Sequence, residues 1–327
     1  MKKLLTILLV LVFNFSSAHP GVGIVKDSKG NIFYTDLKHI WKIDIEGKRS
    51  VVVAGVHSHE LYIDKDDNLF GEHLWYNGEK VNTWGHYIWC YKNDGQFEKI
   101  IDQTKGFLTN YSFTRDAPGN MYWVERFTVS RIMKKTPDGK VNKIIEGKFG
   151  FIGWLTVTNS GTLYFTENNK LHKLTADGTL STVTDYLGSK SPDFSVMGRN
   201  YDSYGIWTDE ENNIYIAMID SKKVICIAPD GTRRTILQAD GTWTVFSGLF
   251  DNYGNMWVLE NSLTNDVRAR KIAQKELVLK KEYTNTSNLT HITCTVIIAF
   301  MVLLLGYSLR ISIEKKAQQA KSNNLYT

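Results

Sequence analysis

A short pattern recurs six times along this chain of 327 residues. Each copy is a polar turn followed by an apolar strand with an aromatic residue at its second position. The copies occupy residues 27–33, 64–70, 116–122, 158–164, 209–215 and 251–257. Successive copies are 37, 52, 42, 51 and 42 residues apart, close to the roughly 40–50 residues of a propeller blade. Six copies therefore predict six blades.

The local chemistry of each copy explains why it forms a hairpin. Five of the six copies begin with Asp, as at Asp27, and most carry Gly or Asn before the strand. Asp bonds backbone amides two residues on, while Gly and Asn tolerate left-handed backbone. A second Asp-Gly or Glu-Gly turn follows in most repeats, as at Asp94-Gly95. Four antiparallel strands per repeat are predicted, and stacking such sheets radially covers their faces.

The two ends of the chain predict export and membrane attachment. Lys2-Lys3, an apolar run and small residues at 16–18 are typical of a cleaved signal peptide. Residues 292–309 carry no charge and are long enough for a transmembrane helix. Basic residues after this helix favour a cytoplasmic C-terminus. The expected segments are a signal peptide at 1–18, a propeller at 19–283, a stalk at 284–291, a transmembrane helix at 292–309 and a cytoplasmic tail at 310–327.

The predicted fold class is therefore all-β, a six-bladed β-propeller with a C-terminal single transmembrane α-helix. This topology places the propeller outside the cytoplasm, on a type I single-pass protein of the cell membrane or another membrane of the secretory pathway. Its net charge of +5 lies in the signal and anchor segments, which leaves residues 19–290 neutral. A neutral exported domain argues against nucleic-acid binding.

Cysteine use indicates two free thiols in the propeller. Cys90 and Cys226 each lie five residues before the Gly of a second hairpin turn, in the third strands of blades two and five. Third strands of opposite blades are roughly 20 Å or more apart when strands are spaced about 4.8 Å. A disulfide needs Cα atoms within about 7 Å, so we expect no bond between them.

In a propeller, the starts of the first strands and the ends of the second strands place two rings of side chains on the same face. Residues just before each first strand should line the mouth of the central channel, where aromatic and polar groups suit a small-molecule pocket. The candidate ligand-binding rim is Glu60, Tyr111, Ser112, Trp154, Tyr204, Phe246 and Ser247. The second strands end mostly in acids, which could hold a divalent cation such as Ca²⁺ or could cap loop amides. The candidate metal ligands are Asp36, Glu125, Glu167 and Glu260.

Blade two has the densest group of titratable residues. His59, Glu72 and His73 fall at the top of its first two strands, where neighbouring strands bring side chains into contact. His beside a carboxylate is a usual arrangement for a general base. We take these three as candidate catalytic residues. His57 and His59 should alternate along a strand, so at most one of them is expected to point into the channel.

The repeats resemble those of NHL and SMP-30/gluconolactonase-like propellers over about residues 20–283. Leu163-Tyr-Phe-Thr-Glu167 with Asp177-Gly178 is similar to repeats of the virginiamycin B lyase type. The SMP-30 resemblance implies metal ligands at inner-strand starts, but this chain has Val22-Gly23, Gly153-Trp154 and Ser247-Gly248 there. That lactonase metal site is therefore expected to be missing.

The lyase-type resemblance implies a His at a first-strand start and a Glu at the end of the next strand. His59 matches the His, but the residue in the Glu position is His73, with Glu72 one place early. A shift of one residue turns a strand side chain to the other face. A bulge at Gly71 could correct it.

Three functions remain open on this evidence. We favour recognition of an unknown small molecule or surface protein through the channel face, on a domain tethered to the membrane by its C-terminal helix. The first alternative is a hydrolase or lyase using the His/Glu group of blade two with a divalent cation. The second is a scaffold for other surface proteins.

Overall fold

The computed structural model describes residues 21–77, 84–105, 113–126, 129–158, 160–188 and 203–277. The chain divides into two units at residue 273. Of the second unit, only a helical turn at 274–277 is described. The first unit forms six antiparallel sheets, each from a continuous stretch of chain. The predicted all-β, six-bladed β-propeller is confirmed.

The first three blades each have four strands. Blade one is β1 to β4, at Ile24–Lys26, Ile32–Thr35, His39–Ile43 and Arg49–Ala54. Blade two is β5 to β8, at Leu61–Ile63, Leu69–Tyr76, Trp84–Tyr91 and Phe97–Lys105. Blade three is β9 to β12, at Phe113–Arg115, Met121–Arg126, Ser130–Lys135 and Val141–Gly147.

The last three blades follow the same order. Blade four is β13 to β16, at Ile152–Val157, Leu163–Glu167, Lys170–Leu174 and Leu180–Thr184. Blade five is β17 to β20, at Ser203–Thr208, Ile214–Met218, Lys223–Ile227 and Arg233–Gln238. Blade six has three strands in the described part of the chain, β21 to β23, at Trp243–Phe250, Met256–Ser262 and Val267–Ile272.

The recurring turn is a hydrogen-bonded unit rather than a loose loop. In blade three the Asp116 carboxylate accepts from the backbone and the side-chain amide of Asn120, both at 2.8 Å. The same carboxylate accepts a third hydrogen bond, from the hydroxyl of Tyr122 to Asp116 Oδ2 at 2.8 Å. Tyr215 does the same to Asp209 at 2.8 Å in blade five. In these two repeats the tyrosine thus satisfies a carboxylate that the turn withdraws from water.

Glycines allow close packing both between neighbouring blades and within one blade. A Cβ added to Gly205 of blade five would lie 2.3 Å from the Phe246 carbonyl oxygen of blade six. A Cβ at Gly71 would lie 2.3 Å from the Trp89 ring, which is fully buried. These contacts hold backbone or ring atoms against a bare Cα, so a larger residue would force them apart.

Cys90 and Cys226 are free and buried, as predicted. Burial is the first cause that raises the pKa of Cys90, to about 11, and burial also raises that of Cys226. Both thiols are therefore protonated and packed as small apolar groups.

The predicted membrane segment lies outside the described residues. Residues 1–20 and 278–327, which include the predicted signal peptide, stalk, transmembrane helix and tail, are not described. Within the described ranges, none of the helices has the length and apolar character required to span a bilayer.

Candidate functional site

The inner strands of the blades surround a cavity of about 360 Å³. Three of the predicted rim residues lie on its wall: Glu60 from blade two, Trp154 from blade four and Ser247 from blade six. These three occupy the same place in their repeats, four residues before the turn. The geometry thus brings together side chains that are far apart in sequence. Tyr111 and Ser112 lie outside the described residues.

The other two described rim candidates, Tyr204 and Phe246, are not among the residues that line the cavity but pack in a row with Trp154. The ring centroids of Trp154 and Tyr204 are 4.8 Å apart, and those of Tyr204 and Phe246 are 5.3 Å apart at 88°. Each of the three side chains is at most 8% exposed. They form one buried aromatic row across blades four, five and six, and Trp154 is the member of the row that lies on the cavity wall.

Two tryptophans on the cavity wall have unused donors. The indole N–H groups of Trp154 and Trp207 have no hydrogen-bond partner among the described residues. Both side chains are more than nine-tenths buried, at 8% and 6% exposed. A buried donor without a partner costs free energy, so a bound oxygen acceptor would stabilise these groups.

Blade two places an imidazole against a carboxylate beside the channel. His59 Nδ1 lies 3.4 Å from Glu72 Oε1, and the His59 backbone N–H donates to the same oxygen. The Glu60 backbone N–H also reaches this atom, at 3.3 Å. His59, Glu60 and Glu72 are 3%, 6% and 7% exposed. The predicted contact of His59 with Glu72 is present, and it lies in a largely dehydrated region.

The prediction that His57 and His59 point to opposite sides is wrong. Their Nε2 atoms are 3.3 Å apart and their ring centroids 4.8 Å apart. The reason is that residues 56–60 are irregular rather than a strand, so side chains need not alternate. The irregular stretch is held by Ser58, whose hydroxyl donates to the Glu72 carbonyl and accepts from the Trp89 indole at 3.2 Å.

His73 lies on the other face of its strand from Glu72. Its Nδ1 accepts from the His57 backbone N–H at 3.0 Å, and its ring stacks on Tyr87 at 4.8 Å. Burial lowers the pKa of His73, and nearby Lys99 lowers it further. There is no bulge at Gly71, because β6 pairs with β7 in unbroken register through that residue and with β5 in unbroken register up to it. His73 therefore supports the loop of His57 rather than joining His59 and Glu72.

The four predicted metal ligands are engaged within their own blades. Asp36 accepts from the Trp41 indole at 2.7 Å; burial raises its pKa, but this and other hydrogen bonds lower it overall. Glu167 accepts from His172 Nε2 at 2.8 Å. Each carboxylate thus stabilises a strand end.

Glu125 and Glu260 are paired with arginines. Glu125 is 4.0 Å from an Arg131 nitrogen. Glu260 is buried and accepts from Arg268 at 2.7 Å and from Arg270 at 2.6 Å. In the part of the chain that the structure describes, no group of three or more His, Cys, Asp or Glu is arranged to hold a metal ion. The structure does not bring the four carboxylates together.

The sequence pattern identified residues at one end of the cavity wall and missed those at the other end. Lys26, Arg115, Thr156 and Trp207 also line it, further along the inner strands. The signal was available, since residues of an inner strand alternate in direction and more than one per strand reaches the axis.

Comparison with known proteins shows the fold. No protein-family model and no curated protein matches the chain. A gluconolactonase from Xanthomonas campestris is 13% identical with a TM-score of 0.54, covering 77% of this chain and 85% of that one. An auxiliary nutrient binding protein from Bacteroides ovatus is 11% identical with a TM-score of 0.56, covering 78% and 69%.

A virginiamycin B lyase from Staphylococcus aureus aligns less well. It is 17% identical with a TM-score of 0.46, over 79% of this chain and 86% of that one. The gluconolactonase structure confirms the resemblance to SMP-30/gluconolactonase-like propellers at the level of the fold. At the inner-strand starts named above, Val22, Gly23, Trp154, Ser247 and Gly248 lie on the cavity wall.

Proposed function

We propose that this chain is an exported, membrane-tethered propeller that recognises a small ligand or a partner through the mouth of its channel. The observation that carries the proposal is the cavity of about 360 Å³, whose wall combines Trp154 and Trp207 with the buried polar groups of Glu60 and Ser247. Small-molecule sites are usually concave and mostly apolar, with a few placed polar groups. The fold is compatible with binding, since one solved relative is described as a nutrient binding protein.

Binding is tested by a thermal-shift screen of a small-molecule library against the full chain. Ligands of the channel should raise the melting temperature of the natural protein and of Ser181→Leu, an exposed control on the outer strand of blade four. They should not raise that of Ser247→Leu, which fills the cavity wall. Hits that stabilise Ser247→Leu equally would place the site elsewhere and overturn the proposal.

The proposed location outside the cytoplasm rests on the amino-acid sequence at the two ends of the chain. A cleaved signal at 1–18 and an apolar helix at 292–309 would leave the propeller outside the cytoplasm. Carbonate extraction should leave the full chain in the membrane fraction, and deleting residues 292–327 should release it. External protease should reach the propeller in intact cells if that membrane is the cell surface. Recovery of the full chain in the carbonate supernatant would contradict tethering.

An enzyme is a second candidate because His59 contacts Glu72 at 3.4 Å, which suits a general base. Against it, His59 is 3% exposed and is not among the residues that line the described cavity. A base must come within about 3 Å of the proton it removes, so binding ranks first. If the chain is such an enzyme, it should hydrolyse a panel of chromogenic esters and lactones faster than the His59→Asn variant does. Equal rates for the two proteins would remove this candidate.

A further inference from the structure

We propose that the turn-side end of the cavity, the end nearest the recurring turns, binds the carboxylate of a small organic anion. The apolar body of this anion extends along the channel toward Trp154 and Ser247. The inference rests on the proposed function and names the ligand class of the same site. Two cationic side chains, Lys26 and Arg115, lie on the wall at the turn-side end. The acidic side chain of the wall, Glu60, lies at the other end.

The positions of these residues in their repeats separate the two charges. Lys26 and Arg115 each lie directly before the Asp that begins the turn, whereas Glu60 lies four residues before its turn. The two levels are therefore three residues apart, which is about 10 Å along an inner strand. The other lining residues at the level of the cations are uncharged: Ile63, Val157 and Thr208. The turn-side end of the wall is therefore positive.

Arg115 is a partly buried cation whose neighbours do not neutralise it. Its guanidinium carbon lies 5.2 Å from the ring centroids of both Tyr62 and Phe70. Its guanidinium donates to the Met121 sulfur at 3.9 Å, which is a weak acceptor. The Nε–H group is buried without a hydrogen-bond partner among the described residues. Burial is the main cause that lowers the pKa of Arg115. None of these three neighbours carries a carboxylate, so a bound anion would offset the cost of burying this charge.

Lys26 supplies the second positive charge. Its Nζ donates to the Asn252 amide oxygen at 2.8 Å, which is a neutral acceptor. Burial is the main cause that lowers the pKa of Lys26, whereas the charges of Asp251 and Glu210 raise it. Of these two acids, Asp251 lies 3.6 Å from Lys271 Nζ and Glu210 is exposed. An ammonium group has three donors, so Lys26 can bond a ligand carboxylate and keep its bond to Asn252.

The acids of the nearby turns are engaged within those turns. The charge of Asp64 acts on Arg115, but the Asp64 carboxylate accepts from the backbone and side-chain amides of Asn68 at 2.9 and 3.0 Å. Asp27, which follows Lys26, accepts in the same way from Asn31 at 2.8 and 2.6 Å. Neither acid is among the residues that line the cavity. The wall itself therefore presents the cations to a ligand.

The rest of the wall suits an apolar body with an oxygen acceptor. Trp154, Trp207 and Leu249 line it, and aromatic faces pack well against another ring. The indole N–H of Trp207, one residue before the level of the cations, is buried without a partner among the described residues. A ligand oxygen that accepts from it would recover a hydrogen bond. An ammonium ligand would meet Lys26 and Arg115 with like charge, and a neutral ligand would leave them without a counter-ion.

Three probes with the same body separate charge from shape. The probes are 3-phenylpropionate, 3-phenylpropanamide and 3-phenylpropylamine, which share a phenyl ring on a three-carbon chain. They carry a carboxylate, a neutral amide and an ammonium group. Each probe is titrated by calorimetry into the full chain and into the variants Arg115→Gln and Lys26→Gln. The matched control is Lys140→Gln, which changes an exposed lysine beside the second turn of blade three.

We expect 3-phenylpropionate to bind at least about tenfold more tightly than the amide or the amine, because hydrogen bonds between charged groups are stronger than neutral ones. Arg115→Gln should reduce this preference below about threefold, and Lys26→Gln should reduce it by a smaller factor. Lys140→Gln should keep it. If Arg115→Gln does not fold, Lys26→Gln and the ranking on the natural protein decide, together with the loss of 3-phenylpropionate affinity at high salt.

Three results would overturn the inference. The amide or the amine binding as tightly as 3-phenylpropionate would refute anion selection, although the proposed channel site would still stand if that binding is lost in Ser247→Leu. A preference for 3-phenylpropionate that both Arg115→Gln and Lys26→Gln retain would place the anion elsewhere. No saturable binding of 3-phenylpropionate up to about 10 mM, a weak affinity even for a ligand of this size, would also refute the inference and leave the library screen as the separate test of the channel.

Discussion

The hydrogen bond from Tyr122 to Asp116 allows a sharp test of why the repeat carries an aromatic residue. Tyr122→Phe removes the hydroxyl that donates to Asp116 Oδ2 at 2.8 Å and leaves the ring in place. Tyr122 and Asp116 are 3% and 5% exposed. Burial raises the pKa of Tyr122, and the bond to Asp116 raises it further, so the hydroxyl stays a donor at neutral pH. Asp116 keeps its bonds from Asn120.

The same repeat provides the control. Tyr164 is the equivalent residue of blade four and is 6% exposed, but its turn begins with Thr158 instead of Asp. Loss of a hydrogen bond to a charged, buried group costs about 1.5–3 kcal/mol, whereas Tyr164→Phe should cost less than about 0.5 kcal/mol. Melting of the full chain should show Tyr122→Phe lower by roughly 3–12 °C.

Equal losses in the two variants would refute this reasoning. They would mean that the hydroxyl matters for packing alone and that the Asp of the turn does not need the aromatic partner. A urea titration with unchanged slope confirms that the comparison reports stability.

Three further predictions follow from the same contacts. Gly205→Ala should lower the free energy of unfolding in urea by about 1–3 kcal/mol, because the added Cβ would lie 2.3 Å from the carbonyl oxygen of Phe246. A loss of stability smaller than that caused by Ala→Gly changes on the surface would contradict the close approach. In the folded protein, Cys90 and Cys226 should resist iodoacetamide in peptide mapping, and rapid labelling would contradict their burial. Burial raises the pKa of Asp251, but hydrogen bonds from Asn255 and others lower it overall, so its contribution to stability is present above about pH 4 and is lost as the pH falls through the lowered pKa. Asp251→Asn should therefore cost stability at pH 7 and progressively less as the pH falls below about 4; a cost that does not change with pH would contradict this.

The repeat made most of the fold predictable. The turn residues repeat in register with the blades, so the spacing of the six copies determined the number of sheets. It also placed Glu60, Trp154 and Ser247 at equivalent positions, and all three line the cavity. Local chemistry was sufficient here because each hairpin is stabilised by its own residues.

The details of blade two could not be predicted in the same way. The irregular path of residues 56–60 depends on Ser58 and Trp89, which are 31 residues apart in sequence. The role of Gly71 likewise depends on the Trp89 ring that packs over it. Nor does spacing show that Glu260 is paired with Arg268. These features come from tertiary packing, which a turn pattern does not encode.

A crystal structure of the protein grown with a ligand from the thermal-shift screen tests the central claim most directly. We predict six blades around one channel, with the ligand inside that channel and in contact with Trp154 and Ser247. A ligand bound outside the channel, or Glu60, Trp154 and Ser247 on different cavities, would contradict the account.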